Sequence, residues 1–241
     1  MACSARMDST PTERGDRTFC LVPARAGSRR IPDKNLATVG GVTLLERAIS
    51  TALKVVDRVV VSTDSERYAS IAAAAGADVP GLRPAELATD TTTMEAVARG
   101  AVDAWARADD DAVVVVQPTA PFLTADDLRA VLVGLRSAEH ISCALTGVRQ
   151  APTTAFVLAR DLPGELCRTL VPEWTELRTQ DVPALFLPTG GAFAVRREHL
   201  MAGGLLVADP TFVVEVPLDR SIDIDDERDL VAARRAAGDA S

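Results

Sequence analysis

The chain has 241 residues, enough to bury a full apolar core, and we predict one α/β domain with a small appendage. Its 34 acidic residues outnumber its 26 basic residues, which argues against a general nucleic-acid-binding or acidic-membrane surface. The sequence shows no secretory signal pattern and no apolar run of transmembrane length. The four cysteines (Cys3, Cys20, Cys143 and Cys167) lack metal-ligand spacing, so we expect a reduced, cytoplasmic protein.

Residues 1–17 are polar, and we predict that they form a disordered tail. After residue 17, short β-rich runs alternate with helical patterns, which is typical of βαβ units and of a mainly parallel, buried sheet. Strands are predicted at Thr18–Pro23, Arg58–Ser62, Ala112–Gln117 and Ile141–Gly147, and amphipathic helices at Leu44–Val56, Ser65–Ala75, Met94–Arg107 and Ala125–Ser137.

Three of these helices are preceded by a capping-box pattern, at Thr63–Glu66, Thr92–Glu95 and Thr124–Asp127. The polar motifs of the chain therefore follow strands and precede helices. In open α/β sheets, ligands bind at the carboxyl ends of the strands, so this placement by itself predicts a ligand site.

The alternation stops after Gly147. Residues 149–187 contain several prolines and no clear helical period, and we predict that they leave the sheet as a projecting segment with extended pieces. The core, residues 18–148 and 188–241, resumes with strands at Gly191–Val195 and Phe212–Val216 and a last helix at Glu227–Ala236. An ordinary long surface loop is the alternative for the projecting segment.

The loop between Pro23 and Asn35 has an unusual composition. Of the 26 basic residues, only Lys34 and Lys54 are lysine, and Asn35 is the sole asparagine. The loop adds three arginines to Lys34 (Arg25, Arg29 and Arg30) and opposes them with the single carboxylate of Asp33. Its ammonium, guanidinium groups and exposed amides predict a polyphosphate site, and a solvated basic loop is the alternative. The loop is neither a Walker A sequence nor a dinucleotide-binding glycine fingerprint, which disfavours an NAD-dependent oxidoreductase.

The segment from Arg25 to Asn35 resembles the opening motif of the cytidylyltransferases that make CMP-sialic acid and related CMP-sugar acids. Four further motifs follow in that family's order: Ser62–Glu66, Leu82–Pro84, Gln117–Pro121 and Ser221–Asp225. The resemblance spans roughly residues 18–235. It implies a Rossmann-like nucleotidyltransferase fold with helices on both faces of the sheet. It also implies a homodimer in which the projecting segment covers the neighbouring active site.

Transfer of a nucleotidyl group needs a positioned nucleophile and stabilised phosphate charge. Arg25 and Lys34 are the candidate catalytic groups for that charge. The resemblance assigns Arg83 and the segment from Asp90 to Thr93 to base and ribose, with a surface ion pair as the alternative for Arg83. Asn35 either contacts the nucleotide or organises the loop. The full predicted nucleotide site is Ala24, Arg25, Gly27, Ser28, Arg29, Lys34, Asn35, Arg83, Asp90 and Thr93.

Asp223 and Asp225 alternate with Ile222 and Ile224, so period two places both carboxylates on one face of an extended segment. With phosphate oxygens and water, two carboxylates suit octahedral Mg²⁺, the expected cofactor, and the resembled family uses this pair for its divalent ion. The acidic residues that follow, Asp226 to Asp229, are predicted to cap the last helix, and capping is also an alternative role for Asp225. No general base is evident.

A small acidic acceptor is expected beside CTP, and its predicted contacts are Gln117, Thr119, Arg178, Thr189 and Phe193. The resembled family places basic residues around the acceptor carboxylate. The corresponding positions in this chain are neutral, at Leu123, Thr154, Thr179 and Leu187. We therefore predict an acceptor other than an ordinary sialic acid, although Arg149 or Arg178 could substitute for the missing charges. A related transferase using another acceptor or nucleotide, and a non-catalytic nucleotide-binding protein, remain the rival interpretations.

Overall fold

A six-stranded sheet forms the centre of the computed structural model, which describes residues 17–153, 158–159, 168–169, 171–174 and 176–239. The strands are β1 (Thr18–Pro23), β2 (Thr38–Val39), β3 (Val42–Thr43), β4 (Val59–Ser62), β5 (Ala112–Val116), β6 (Cys143–Arg149), β7 (Leu158–Ala159), β8 (Arg168–Thr169), β9 (Phe186–Arg196) and β10 (Thr211–Glu215). The helices are α1 (Leu44–Leu53), α2 (Glu66–Ala74), α3 (Met94–Trp105), α4 (Ala125–Arg136), α5 (Arg197–Met201) and α6 (Glu227–Ala236).

The strand order of the sheet is β10-β6-β9-β5-β1-β4. β1 pairs in parallel with both β4 and β5, and β10 pairs in parallel with β6. β9 lies between β5 and β6 and is antiparallel to both. The predicted mainly parallel α/β fold is confirmed, with β9 as the antiparallel exception.

Alternating side chains of the buried strands build two apolar layers. Phe19 and Leu21 face a cluster that includes Val97 and Val102 of α3. Cys20, which is fully buried, faces the opposite cluster with residues of α1, α2 and α4. Helices therefore cover both faces, as the near-continuous apolar strand sequences require. The carboxyl ends of β1, β4 and β5 meet at one edge, where their loops enclose the site.

Sequence patterns located the main elements within a few residues, but two of the predicted caps are wrong. Ser65 and Thr93, rather than Thr63 and Thr92, accept the capping hydrogen bonds of α2 and α3. In both cases the residue nearer the helix has the extended backbone that an N-cap needs. The capping box from Thr124 to Asp127 is confirmed, and Asp226 caps α6 as predicted.

Parts of the projecting segment lie among the described residues. β7 and β8 pair antiparallel, and short 3-10 helices occupy Pro172–Trp174 and Thr179–Asp181. Thr154, Cys3, Cys167 and the predicted tail before Arg17 lie outside the described residues. Within the described ranges, no helix has the length and apolar character that a bilayer crossing requires.

Candidate nucleotide site

The loop after β1 is held against the end of β4 by its own backbone amides. Ala24 N donates to Ser62 O at 2.9 Å, and Ala26 N donates to Asp64 Oδ1 at 2.8 Å. Ser28 N donates back to Ala26 O at 2.9 Å. The prediction that the loop's amides form an anion-binding nest is therefore wrong for these three amides, because each is already bonded within the protein. Phosphate contacts fall mainly to the loop's side chains.

The end of the loop is fixed by Asn35 and presents Lys34. Asn35 is buried, and its Nδ2 donates to Arg25 O at 3.0 Å, so it organises the loop and also lines a cavity. Lys34 Nζ donates to Ile224 O at 2.7 Å and lies 3.4 Å from Asp225 Oδ1. The loop lysine is thus in direct contact with the predicted metal-binding segment, although 190 positions separate them in the sequence.

Asp90 joins two of the loop arginines. Its Oδ1 lies 2.7 Å from the guanidinium of Arg25, and its Oδ2 forms an ion pair with Arg29. The hydrogen bond from Arg25 holds the pKa of Asp90 below its ordinary value, and the charges of both arginines add to this effect. Asp90 therefore orients positive groups at the mouth of the site and stays ionised while doing so.

Two adjoining cavities of about 250 Å³ each lie between this loop and the start of α3. The two cavities share six lining residues. Four of them come from the loop and are positive or polar, and the other two are carboxylates: Arg25, Ser28, Arg30, Lys34, Asp90 and Asp225. Arg29 lines the first cavity, and Asn35 and Arg83 line the second. The excess of positive charge in a chain of net charge −8 favours an anionic ligand here.

Arg83 is buried at the inner wall of the second cavity. Its Nε donates to Ser62 Oγ at 2.9 Å and an Nη donates to Ser62 O at 2.6 Å. Burial lowers the pKa of Arg83 to about 10, the charge of Arg25 lowers it further, and the carboxylate of Asp64 opposes both. A surface ion pair, the alternative interpretation of Arg83, is excluded because the side chain is 7 % exposed and bonded to Ser62.

Asp223 and Asp225 lie on an irregular segment that is anchored at both ends. Ile224 is fully buried, and its N donates to Thr119 O at 2.8 Å. Asp225 N donates to Asp229 Oδ2 at 2.8 Å. The predicted alternation holds, because Ile222 and Ile224 both pack into the apolar cluster beside α6. The two carboxylates differ in environment, since Asp223 is half-buried and the side chain of Asp225 is 59 % exposed.

Asp223 fits a cation ligand. Its Oδ1 is buried and has no hydrogen-bond partner in the described structure. Burial raises the pKa of Asp223 above its ordinary value and the charge of Asp225 adds to this, whereas Thr119 and Lys34 act in the opposite direction. A cation would satisfy the orphaned oxygen and offset the desolvation of the carboxylate. The described ranges contain no group of three or more metal-ligating side chains, so an ion here would need phosphate oxygens and water as further ligands.

The predicted acceptor residues Gln117, Thr119 and Thr189 lie near the carboxyl end of β5. Gln117 N pairs with Gly191 O at 3.1 Å, which places Gln117 directly after the strand. Thr189 is buried, and its Oγ1 lies 2.7 Å from Thr146 Oγ1. Next to Thr189, Gly190 has φ 73° and contacts the carboxylate of Asp223. The predicted acceptor side and the predicted metal side are therefore contiguous.

Other predicted residues are not brought to the cavities. Phe193 pairs with Val115 in mid-strand and packs in the apolar core, because it lies within β9 rather than at its end. Thr93 is exposed and caps α3. Arg178 pairs with Asp181 at 2.7 Å in an exposed turn. Ala24 is buried behind the loop, and Gly27 is exposed at its tip, where a Cβ would meet nothing within 4 Å.

Sequence reasoning missed Leu87, Thr89 and Asp64, whereas Thr92 belongs to the predicted segment from Asp90 to Thr93. Leu87, Thr89 and Thr92 line the second cavity, and Thr89 and Thr92 bond to each other at 2.6 Å through their hydroxyls. Asp64 anchors the loop amide of Ala26. The position of the motif Ser62–Glu66 directly after β4 is the available signal for Asp64. Nothing in the sequence points to Leu87 or Thr89.

A mainly parallel α/β sheet with a basic cavity at its carboxyl edge is typical of the open α/β proteins that bind their ligands at this edge. Comparison with known proteins narrows this class. The family model described as cytidylyltransferase matches residues 19–155, more than half of the chain. The chain belongs to the cytidylyltransferase family.

Named relatives agree with this assignment. The chain is 38% identical over 117 residues to the CMP-N,N'-diacetyllegionaminic acid synthase of Legionella pneumophila, covering 47% of this chain and 50% of that protein. It is 25% identical over 219 residues to an N-acylneuraminate cytidylyltransferase of Escherichia coli, covering 90% of this chain and 51% of that protein. The chain thus spans about half the length of the curated relatives it matches.

A solved structure shares the fold. The structure of CMP:2-keto-3-deoxy-manno-octonic acid synthetase in complex with CTP superposes with a TM-score of 0.67, covering 92% of this chain and 98% of that chain. At 18% sequence identity, this likeness supports the architecture alone.

Proposed function

We propose that the protein transfers CMP from CTP to a small acidic sugar-type acceptor and releases pyrophosphate. The observation that carries the proposal is the basic cavity around Arg25 and Lys34, which is also lined by the carboxylate of Asp225. Family membership supports the chemistry, and the names of two relatives support the reactants: one is named as a CMP-sugar-acid synthase and the other as an N-acylneuraminate cytidylyltransferase.

In this reaction an acceptor hydroxyl oxygen attacks the α-phosphorus of CTP. The bond from that phosphorus to the bridging oxygen breaks, pyrophosphate leaves, and the hydroxyl proton passes to solvent. Lys34 and Arg25 stabilise the charge that develops on the phosphates and on the leaving group. Asn35 and Asp90 hold these cations in place through the loop carbonyl of Arg25 and through the ion pairs. Arg83 offers its buried guanidinium to the nucleotide in the second cavity.

Asp223 and Asp225 are the residues that would hold Mg²⁺. Such an ion supplies positive charge to the triphosphate and orients it without proton transfer. Asp223 brings a buried carboxylate whose Oδ1 lacks a partner among the described residues, and Asp225 brings an exposed carboxylate next to Lys34. The remaining ligands would come from phosphate oxygens and water.

We further propose that the acceptor is not an ordinary sialic acid. Leu187 and Thr179 have neutral side chains and are exposed, so neither supplies a positive charge to the acceptor. The two candidate substitutes are engaged elsewhere: Arg149 pairs with Glu215 at 2.8 Å and Arg178 pairs with Asp181. Hydroxyl and amide groups, at Gln117 and the threonines nearby, are the recognition groups at this edge. A homodimer and a cytoplasmic location stay predictions from the sequence.

The central test is pyrophosphate release from CTP by the parent protein and by Lys34→Ala. We expect a loss of about 100-fold or more in kcat/KM, since single donors to transition-state charge are worth that much. Lys54→Ala is the matched control, because Lys54 is exposed at the end of α1 and lines neither cavity. Equal activity of the two variants would show that Lys34 has no role in the transfer. Nucleotide binding without turnover on any acceptor would identify a non-catalytic binding protein.

The acceptor is identified with a panel at saturating CTP. The panel contains N-acetylneuraminate, its deaminated analogue, bacterial diamino-nonulosonates, sugar phosphates and phosphonates. We expect N-acetylneuraminate to be a poor substrate beside at least one other acid. Turnover of N-acetylneuraminate at kcat/KM of about 10⁴ M⁻¹s⁻¹ or above would contradict the acceptor proposal while leaving cytidylyl transfer intact.

A further inference from the structure

Asp33, immediately before the loop lysine, has an unusual backbone conformation. Its φ of 51° and ψ of 37° lie in the left-handed region, and it is the one non-glycine residue with positive φ in the described ranges. Side chains disfavour this region. Asp33 O accepts a hydrogen bond from Leu36 N at 2.8 Å, so the left-handed residue begins the short 3-10 helix Lys34–Leu36. The direction in which Lys34 leaves the backbone is therefore set at Asp33.

Two side chains of α2 hold the Asp33 carboxylate. Tyr68 Oη donates to Asp33 Oδ1 at 3.0 Å, and an Nη of Arg67 donates to Oδ2 at 2.8 Å. The Asp33 side chain makes no capping hydrogen bond to the 3-10 helix that follows it, so capping does not account for the aspartate at this position. The two donors differ in environment: the Tyr68 side chain is 1 % exposed in the apolar core, whereas that of Arg67 is 66 % exposed.

The ring of Tyr68 is buried, so the position of its hydroxyl is set by the packing of the core. It packs in the core cluster with Leu45 and Ala72, on the face of the sheet opposite α3. Burial raises the pKa of the Tyr68 phenol above its ordinary value, and the neighbouring carboxylate of Asp33 raises it further, so the hydroxyl keeps its proton. In turn, the hydrogen bond from Tyr68 lowers the pKa of Asp33. A neutral donor and an ionised acceptor form a charge-assisted bond.

We propose that Tyr68 is a positioning residue for the nucleotidyl transfer, because it holds Asp33 in the left-handed conformation that directs Lys34 towards Ile224, Asp225 and the phosphate cavity. Released from this tether, Asp33 would relax towards ordinary helical φ, a rotation of about 110° that would swing the following residue away. Arg67 contributes less, since its ion pair is exposed to solvent. The proposal rests on the role proposed for Lys34.

The positioning is tested first without reference to activity, by amide hydrogen exchange of Leu36 and Ala37 in Tyr68→Phe. These amides close the 3-10 helix onto Asp33 and Lys34, at 2.8 and 3.0 Å. We expect their exchange to rise about tenfold or more, as the loss of a bond to a charged group predicts, while the thermal midpoint changes little because the ring is retained. Ser70→Ala is the control, since it deletes another hydroxyl of α2 that bonds only within the helix. Unchanged exchange in Tyr68→Phe would overturn the proposal, whatever the enzyme's activity.

The consequence is tested by pyrophosphate release. Tyr68→Phe should reduce kcat about tenfold with a smaller change in KM for CTP, and it should cause no further loss in a Lys34→Ala background, because the tether acts through Lys34. In an Asp33→Gly background, Tyr68→Phe should have little effect, since glycine adopts the left-handed conformation without a tether. Additive losses in the Lys34→Ala background would overturn the proposal. If the parent protein transfers no nucleotide to any acceptor, the proposed function fails, and the exchange experiment still decides whether Tyr68 positions the loop.

Discussion

Gly190 lies where β9 passes Asp223, and replacing it with alanine should displace that carboxylate. Its φ of 73° is unfavourable for any residue with a Cβ, at a cost of about 1–2 kcal/mol. A Cβ at Gly190 would also lie 3.1 Å from Asp223 Cγ and closer still to Oδ2, well inside the 3.5–4.0 Å at which carbon atoms pack. The residues on either side of Gly190 are held, since Thr189 Oγ1 donates to Thr146 O at 3.2 Å and Gly191 O accepts from Gln117 N at 3.1 Å, so we expect the carboxylate to move. A displacement of about 1 Å in a catalytic constellation costs on the order of 100-fold in rate.

Gly41→Ala separates the two effects. Gly41 has φ 74°, and a Cβ there would meet nothing within 4 Å. Both variants should lose about 2–8 °C in thermal midpoint, the equivalent of 1–2 kcal/mol for a chain of this size. Gly190→Ala alone should show a large loss in pyrophosphate release and a weakened response to Mg²⁺. If Gly190→Ala is as active as Gly41→Ala at every Mg²⁺ concentration, the placement of Asp223 in the reacting centre is wrong.

Two further predictions concern the carboxylates. Asp223→Asn and Asp225→Asn should each raise the Mg²⁺ concentration needed for half-maximal pyrophosphate release. EDTA should abolish turnover by the parent protein. Full activity of the double variant at low Mg²⁺ would refute the assignment of these carboxylates as metal ligands. Arg220→Met should destabilise the fold by about 1–2 kcal/mol at neutral pH, measured by urea unfolding, because an Nη of Arg220 donates to Asp127 Oδ1 at 3.1 Å in a partly buried pair. Burial alone would raise the pKa of Asp127, but the hydrogen bonds from Arg220 and Thr124 lower it below its ordinary value. The pair therefore stabilises the fold at pH values above the pKa that Asp127 has in the unfolded chain. The difference between parent and variant should disappear as the pH falls through the lowered pKa; a difference that is constant with pH would contradict this account.

The basic groups that line the cavities could be predicted from the sequence because their chemistry is constrained. A cation next to the site can only be lysine or arginine, and the concentration of such residues after β1 is visible without a structure. Strand and helix positions followed from apolar periodicity, which the packing of two layers against the sheet imposes on β1, β4 and β5. Asp223 and Asp225 were found in the same way, since alternation with two buried isoleucines is a local pattern.

The hydrogen bonds that position the side chains of the site could not be predicted, because they join segments that are distant in the sequence. The bond from Tyr68 to Asp33 crosses 35 positions, and that from Lys34 to Ile224 crosses 190. The prediction for Phe193 is wrong for a related reason. We predict Phe193 as an acceptor contact within the strand Gly191–Val195, but the antiparallel β9 runs away from the carboxyl edge of the sheet and buries Phe193 in mid-strand. Whether a strand runs parallel or antiparallel depends on its pairing with neighbouring strands, and its own apolar pattern is the same in both cases.

The irregular pairing of β6 with β9 explains why the acceptor side is the least predictable part of the molecule. The register shifts between Leu145 and Gly147, so β9 contributes extra residues opposite Thr146, and Gly190 lies among them. This bulge turns Thr189 towards Thr146 and brings Gly190 against Asp223. Bulges redirect side chains at active sites and disturb the two-residue period from which facing residues are inferred. A gap-free alignment through residues 179–190 ends inside this bulge, whereas the neutral positions Thr179 and Leu187 lie before it. The acceptor panel, which depends on no alignment, is the experiment that decides between a rebuilt acceptor pocket and a shifted one.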